Sequence, residues 1–82
     1  MADNAVQTES MKLRSEIMLA LKDYIHRVHL SQSQAAKAFG VTQPRISDFT
    51  SGKVDEFGLD ALVNMAGKAG LRVELHILEV AR

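Results

Sequence analysis

The chain contains no cysteine and no tryptophan. Without thiols, disulfide scaffolds, thiolate nucleophiles and Cys-based zinc sites are excluded. Aromatic residues are scarce, three Phe and one Tyr, so an aromatic platform for stacking single-stranded bases is not expected. An excess of charge is also missing. Ten Lys and Arg balance ten Asp and Glu. That excludes a wholly basic coat, and any nucleic-acid contact has to come from a local patch. No apolar run approaches the roughly 18–20 residues of a membrane span. The first ten residues, MADNAVQTES, have neither a basic start nor an apolar stretch. No export signal is read there, and a cytoplasmic location is expected. G-x-S-x-G, a P-loop and paired inward carboxylates are absent too, so neither catalysis nor a cofactor is expected.

What is present is ordinary globular composition, 46% apolar and 24% charged over 82 residues, enough for one domain. A core in a chain of this length supplies only about 3–5 kcal/mol by itself. With no disulfide available, oligomerisation is the expected further source of stability.

Residues 1–8 are polar and aperiodic and read as a mobile N-terminal tail. A helix is expected from Thr8 or Ser10, with Leu13, Ile17, Leu21 (or Ala20), Tyr24 and Val28 on one apolar stripe, ending near His29. Ser31 with Gln34 forms a capping-box pattern that opens a second, Ala-rich helix to Phe39, closed by Gly40. Thr42 caps a third helix, with Pro44 in its first turn and Ile46 and Phe49 facing inward. Val54, Asp55 and Glu56 read as a charged loop. A fourth helix covers roughly Leu59 to Ala69, with Leu62, Val63, Met65 and Ala66 on its apolar side. Met11, Met18 and Met65 read as gap-filling core or tail. His26 and His29, three residues apart, lie near Asp23, but without Cys they read as a solvated helix end, and no metal site is expected.

After Gly70 the period changes to two. Leu71, Val73, Leu75 and Ile77 alternate with Arg72, Glu74 and His76, which is the pattern of a strand. No other segment reads as its partner, so residues 71–79 are expected to pair with the same strand of a second copy about a two-fold axis. Leu71, Val73, Leu75 and Ile77 are then the dimerisation residues, laid over the helical core.

The sharpest signal lies in residues 31–51. Ala36 is small where two helices must approach. Gly40, four residues on, makes the tight turn, and Val41 is the buried residue after it. Ile46 and Phe49 anchor the next helix. A helix, a three-residue turn and a second helix with these offsets describe a helix-turn-helix. At about 100° per residue, the face opposite Ile46 and Phe49 carries Gln43, Pro44, Ser47 and Asp48. Gln43 can pair bidentately with adenine, Ser47 can make one hydrogen bond, and Pro44 offers apolar contact to a thymine methyl. Arg45, on the flank, is long enough to reach a phosphate or a guanine. Asp48 is out of place against phosphates. Either it accepts from a cytosine amino group or Arg45 holds it, and the second is favoured because Arg45 is present in every state. Between Ser31 and Lys53 there are three basic residues and one acid. Gln32, at a helix N-terminus, is the expected phosphate contact. Lys37, Thr42, Lys53 and Ser51, with the N–H groups of Ser51 and Gly52, are further candidates. The acidic Asp55, Glu56 and Asp60 are expected to point away from DNA.

The stretch LSQSQAAKAFGVTQPRISDFTSGK resembles the helix-turn-helix of the repressor family that includes the lambdoid phage repressors and the xenobiotic-response-element (XRE) regulators. From about Leu13 to Ile77 the chain looks like a subgroup of small XRE-type proteins, many of them antitoxins of HigA-like toxin–antitoxin pairs. The resemblance implies that Gln43 and Pro44 read bases, that Gln32 contacts phosphate, and that the closing strand pairs across a dimer. The expected fold is all-α, a four-helix lambda-repressor-like domain over residues 9–70 with a C-terminal dimer strand. The expected function is a homodimeric transcriptional repressor of double-stranded DNA at a palindromic operator. The alternative is an antitoxin that sequesters a toxin protein and binds DNA for autoregulation. No membrane partner is expected.

Overall fold

The computed structural model describes the backbone of residues 2–80 and the side chains of residues 9–80. Four α-helices follow one another: α1 (Ala2–Arg27), α2 (Gln32–Phe39), α3 (Gln43–Thr50) and α4 (Leu59–Lys68), with a 3-10 turn, Val54–Glu56, between α3 and α4. α2 packs on α3 and on α4, α1 packs on α4, and the 3-10 turn leans on α1.

α1 is longer than the sequence pattern suggests. Its backbone is helical from Ala2, so the start expected at Thr8 or Ser10 lies inside the helix, and the tail expected over residues 1–8 is helix from Ala2 on. Neither Gly nor Pro interrupts that stretch, and Ala, Gln, Glu and Met sustain a helix once it is nucleated. Ser10 is no cap. Its hydroxyl accepts a hydrogen bond from Arg14 Nη2 at 3.3 Å, one turn on. At the other end α1 closes before His29, which takes a left-handed φ of 57°, while the N–H of Leu30 donates to the Ile25 carbonyl at 3.0 Å.

The boundaries of α2 and α3 follow from caps. The Ser31 hydroxyl accepts from the Gln34 N–H at 3.1 Å, and Gln34 Oε1 accepts from the Ser31 N–H at 2.9 Å. Gly40 sits at φ 71°, where a side chain is strained, and lets the Val41 N–H close on the Ala36 carbonyl at 3.0 Å. Thr42 accepts from the Arg45 N–H, and Pro44 occupies the first turn, where no intrahelical N–H is required.

The core is built from Met18, Leu21, Ala35, Ala36, Phe39, Ile46, Phe49, Phe57, Leu62, Met65 and Ala66. All four aromatic rings of the chain form one row through it. Tyr24 lies 6.5 Å from Phe39, Phe39 lies 6.0 Å from Phe49, and Phe49 meets Phe57 edge-on at 5.6 Å. These are favourable separations for tilted aromatic pairs, and the row ties α1, α2, α3 and the segment before α4 together.

The apolar side of α1 is broader than the expected stripe, with Leu21, Ile17 and Tyr24 shared between the core and a groove beside it. Met18 and Leu21, with Ile25 beside them, face the other helices. Leu13, Ile17, Ala20 and Tyr24 line a groove of about 470 Å³ whose other wall is residues 71–75. Val28 and Val63, expected on apolar faces, are exposed instead.

The C-terminal segment departs furthest from expectation. Gly70 at φ 80° turns the chain back, and the Leu71 N–H caps the Ala66 carbonyl at 2.9 Å. From Leu71 to Val80 there is no regular element, and no β-strand occurs among the described residues. The reason is that a strand is defined by its ladder, and the described residues hold no second extended segment to supply one. Nor does the segment lie over the core along its length. Leu71 packs against it, Val73 and Leu75 border the groove beside α1, and Ile77 is 90% exposed.

Candidate nucleic-acid interface

The α2–turn–α3 unit presents one exposed face. Ile46 and Phe49 are fully buried, which fixes the rotation of α3 and sends Gln43, Pro44 and Ser47 to solvent. Among the described residues no hydrogen bond engages the Gln43 side chain, so both amide groups are available for a base edge. Ser47 and Pro44 lie beside it, about 40° and about 100° round the helix in the same sense. These three residues stand together as the spacing predicts.

Arg45 does not join them. Its guanidinium lies 4.0 Å from the centroid of Phe57, and Nη2 donates to the Glu56 carbonyl at 2.7 Å. At 200° from Gln43 around the helix, Arg45 points at the 3-10 turn, where a flat cation can stack on a ring and bond a carbonyl at once. It therefore holds α3 to the segment before α4. It is equally unavailable to Asp48, which pairs with Lys53 instead, Nζ to Oδ1 at 3.2 Å. Of the readings weighed for Asp48 on the sequence, the favoured one, Arg45 as its partner, is replaced by Lys53.

The candidate phosphate contacts are all exposed: Gln32 at the first position of α2, Lys37 five residues later in the same helix, and Thr42 and Ser51 flanking α3. Among the described residues Lys37 has no ion-pair partner. The backbone donors expected after α3 are already used. The Ser51 N–H bonds the Ser47 carbonyl and the Gly52 N–H bonds the Phe49 carbonyl, each at 3.0 Å. A helix C-terminus leaves carbonyls without partners, and the nearest following N–H groups close them first. Asp55 and Glu56 are exposed on a turn that leans on α1.

Phe57 and the Asp48–Lys53 pair are the parts of this region that sequence reasoning missed. Phe57 follows a charged stretch and precedes Gly58, so no periodicity marks it as core. Its signal is only that a large aromatic residue is seldom left exposed in so small a chain.

The geometry is that of a helix-turn-helix protein, the class of fold that carries DNA-binding regulators: two short helices joined by a Gly turn, the second held by its buried face with its polar face outward. The chain belongs to a family described as a helix-turn-helix domain, whose model matches residues 1–78. That family is consistent with the XRE-type resemblance of the motif. No curated protein matches the chain. Among the described residues no helix is long and apolar enough to cross a membrane.

Proposed function

We propose that this protein is a sequence-specific regulator of double-stranded DNA that acts as a homodimeric repressor on a palindromic operator. The observation that carries the reading is the exposed triad Gln43, Pro44 and Ser47 on a helix whose opposite face is wholly buried. A rigidly held helix with a free amide, a hydroxyl and an apolar ring on one face is suited to base edges in the major groove. Gln32, Lys37, Thr42 and Ser51 set the register on the phosphates, and Lys53 is a further candidate that rests paired with Asp48.

The dimer is supported by the C-terminal segment. Leu75, Ile77, Leu78 and Val80 are 64, 90, 81 and 83% exposed, more clustered apolar surface than a small monomer normally shows to water. The same segment of a second copy would complete a ladder along Leu71–Ile77 and bring Leu75 and Ile77 beside their counterparts on one face. Two recognition helices about 34 Å apart would then match one turn of DNA.

Selection of bound duplexes from a random pool tests the reading. The enriched sequence is expected to be an inverted repeat with half-sites one helical turn apart. Gln43→Ala should weaken binding to it by about 1–3 kcal/mol and relax the choice at one base pair. Equal losses on enriched and random duplexes would remove Gln43 as a base reader. The antitoxin alternative draws on the same apolar C-terminal surface with a toxin as its cover. It predicts a second, smaller or larger protein in stoichiometric amount when the chain is purified from its native host.

A further inference from the structure

We propose that Asp48 is a built-in brake on indiscriminate DNA binding, acting by occupying Lys53, the cation that follows the recognition helix. The proposal rests on the DNA-binding reading above. Asp48 lies on the outward side of α3, one turn after Pro44. Lys53 is returned to it by the turn that ends the helix. The Lys53 N–H donates to the Asp48 carbonyl at 3.3 Å, and the Ser51 and Gly52 N–H groups hold the chain between them. The side-chain pair at 3.2 Å is thus formed by a closed loop of backbone bonds before any ligand arrives.

The pair remains accessible, with 52% of the Lys53 side chain and 35% of the Asp48 side chain exposed. Exposed pairs of this kind are weak and open readily. A DNA phosphate can therefore take Lys53. The exchange then leaves the Asp48 carboxylate without its counter-ion at the edge of a polyanion, so the phosphate contact brings little net attraction. Arg45, the second of the three cations between Ser31 and Lys53, is committed to Phe57 and the Glu56 carbonyl. Lys37 alone is then left as a cation without an ion-pair or stacking partner among the described residues of that stretch. The sequence-independent pull of the motif is low, and binding depends on the base contacts of α3.

The test is the salt dependence of binding for the wild type, Asp48→Asn, Lys53→Ala and the double variant. Two probes are used, a short random-sequence duplex and the sequence enriched by selection. Both substituted residues are surface residues, and unchanged melting temperatures confirm intact folds. Asp48→Asn is expected to tighten binding to both duplexes and to steepen the slope of log K against log salt by about 0.9, one phosphate's worth. Lys53→Ala should change the slope by much less than that in the wild-type background. In the Asp48→Asn background it should remove the full increment. Three results would overturn the brake: Asp48→Asn without effect, Asp48→Asn weakening only the enriched sequence as loss of a base contact would, or Lys53→Ala removing a full increment from the wild type. A wild-type chain that binds neither duplex at low salt sinks the DNA-binding reading itself and the brake with it, which separates the two failures.

Discussion

A guanidinium stacked 4.0 Å above Phe57 and bonded to the Glu56 carbonyl makes Arg45 part of the scaffold that aims α3. The stack contributes about 0.5–2 kcal/mol and the hydrogen bond about 1 kcal/mol, in a domain whose core supplies only about 3–5. Arg45→Ala should lower the urea midpoint by the equivalent of about 1–2 kcal/mol, and Arg45→Lys should restore only part of it, because an ammonium neither lies flat on a ring nor offers the fork. If Arg45 instead reached DNA from this position, Arg45→Ala would leave the midpoint unchanged and lower the salt slope. Gln43 is the contrasting case, an exposed side chain whose removal should spare stability and alter sequence choice.

The helices owe their ends to single residues in unusual backbone conformations, and two of these residues give opposite expectations. Gly40 adopts φ 71°, and a Cβ built on it would meet the Lys68 side chain. Gly40→Ala should therefore destabilise by about 1 kcal/mol, because the left-handed φ strains any Cβ, while the flexible Lys68 side chain can swing aside. His29 holds a left-handed φ of 57° after α1 with a full side chain. His29→Gly should relieve that strain and stabilise by up to about 1 kcal/mol. Denaturation of the two variants beside the wild type checks both signs, and a stabilising Gly40→Ala would mean the turn is not the left-handed one described. The Ser31–Gln34 box shows why α2 could be placed from the sequence to the residue: all its partners lie within three positions.

For the whole molecule, the open question of stability lies in the C-terminal segment. Ile77 touches little of its own chain, being 90% exposed, so Ile77→Glu should leave the helix content and the monomer's stability unaltered. In a dimer closed by that segment, the same change buries a charge in the interface and should yield a monomer with weaker operator binding. Sedimentation of both proteins at micromolar concentration is the measurement. A wild-type monomer would overturn the dimer, and a dimer indifferent to Ile77→Glu and to Val73→Pro and Leu75→Pro would place its interface elsewhere.

The sequence by itself determined α2, the turn, α3 and α4, together with the outward face of Gln43, Pro44 and Ser47. Caps, glycine turns and helical periodicity are relations among residues no more than a few positions apart, and they are written in order along the chain. The beginning of α1 was misplaced, because Thr8 and Ser10 are cap-type residues while no Gly or Pro before them stops the helix from running back to Ala2. Tertiary structure alone decided the rest. Phe57 became core only when α3 and the 3-10 turn closed over it. Arg45 and Lys53 were assigned by the positions of Phe57, the Glu56 carbonyl and Asp48, since long cationic side chains have many rotamers and take the partner the fold brings within reach. The alternation from Leu71 to Ile77 specifies a segment able to pair, but a ladder needs a second strand, and the described residues offer none.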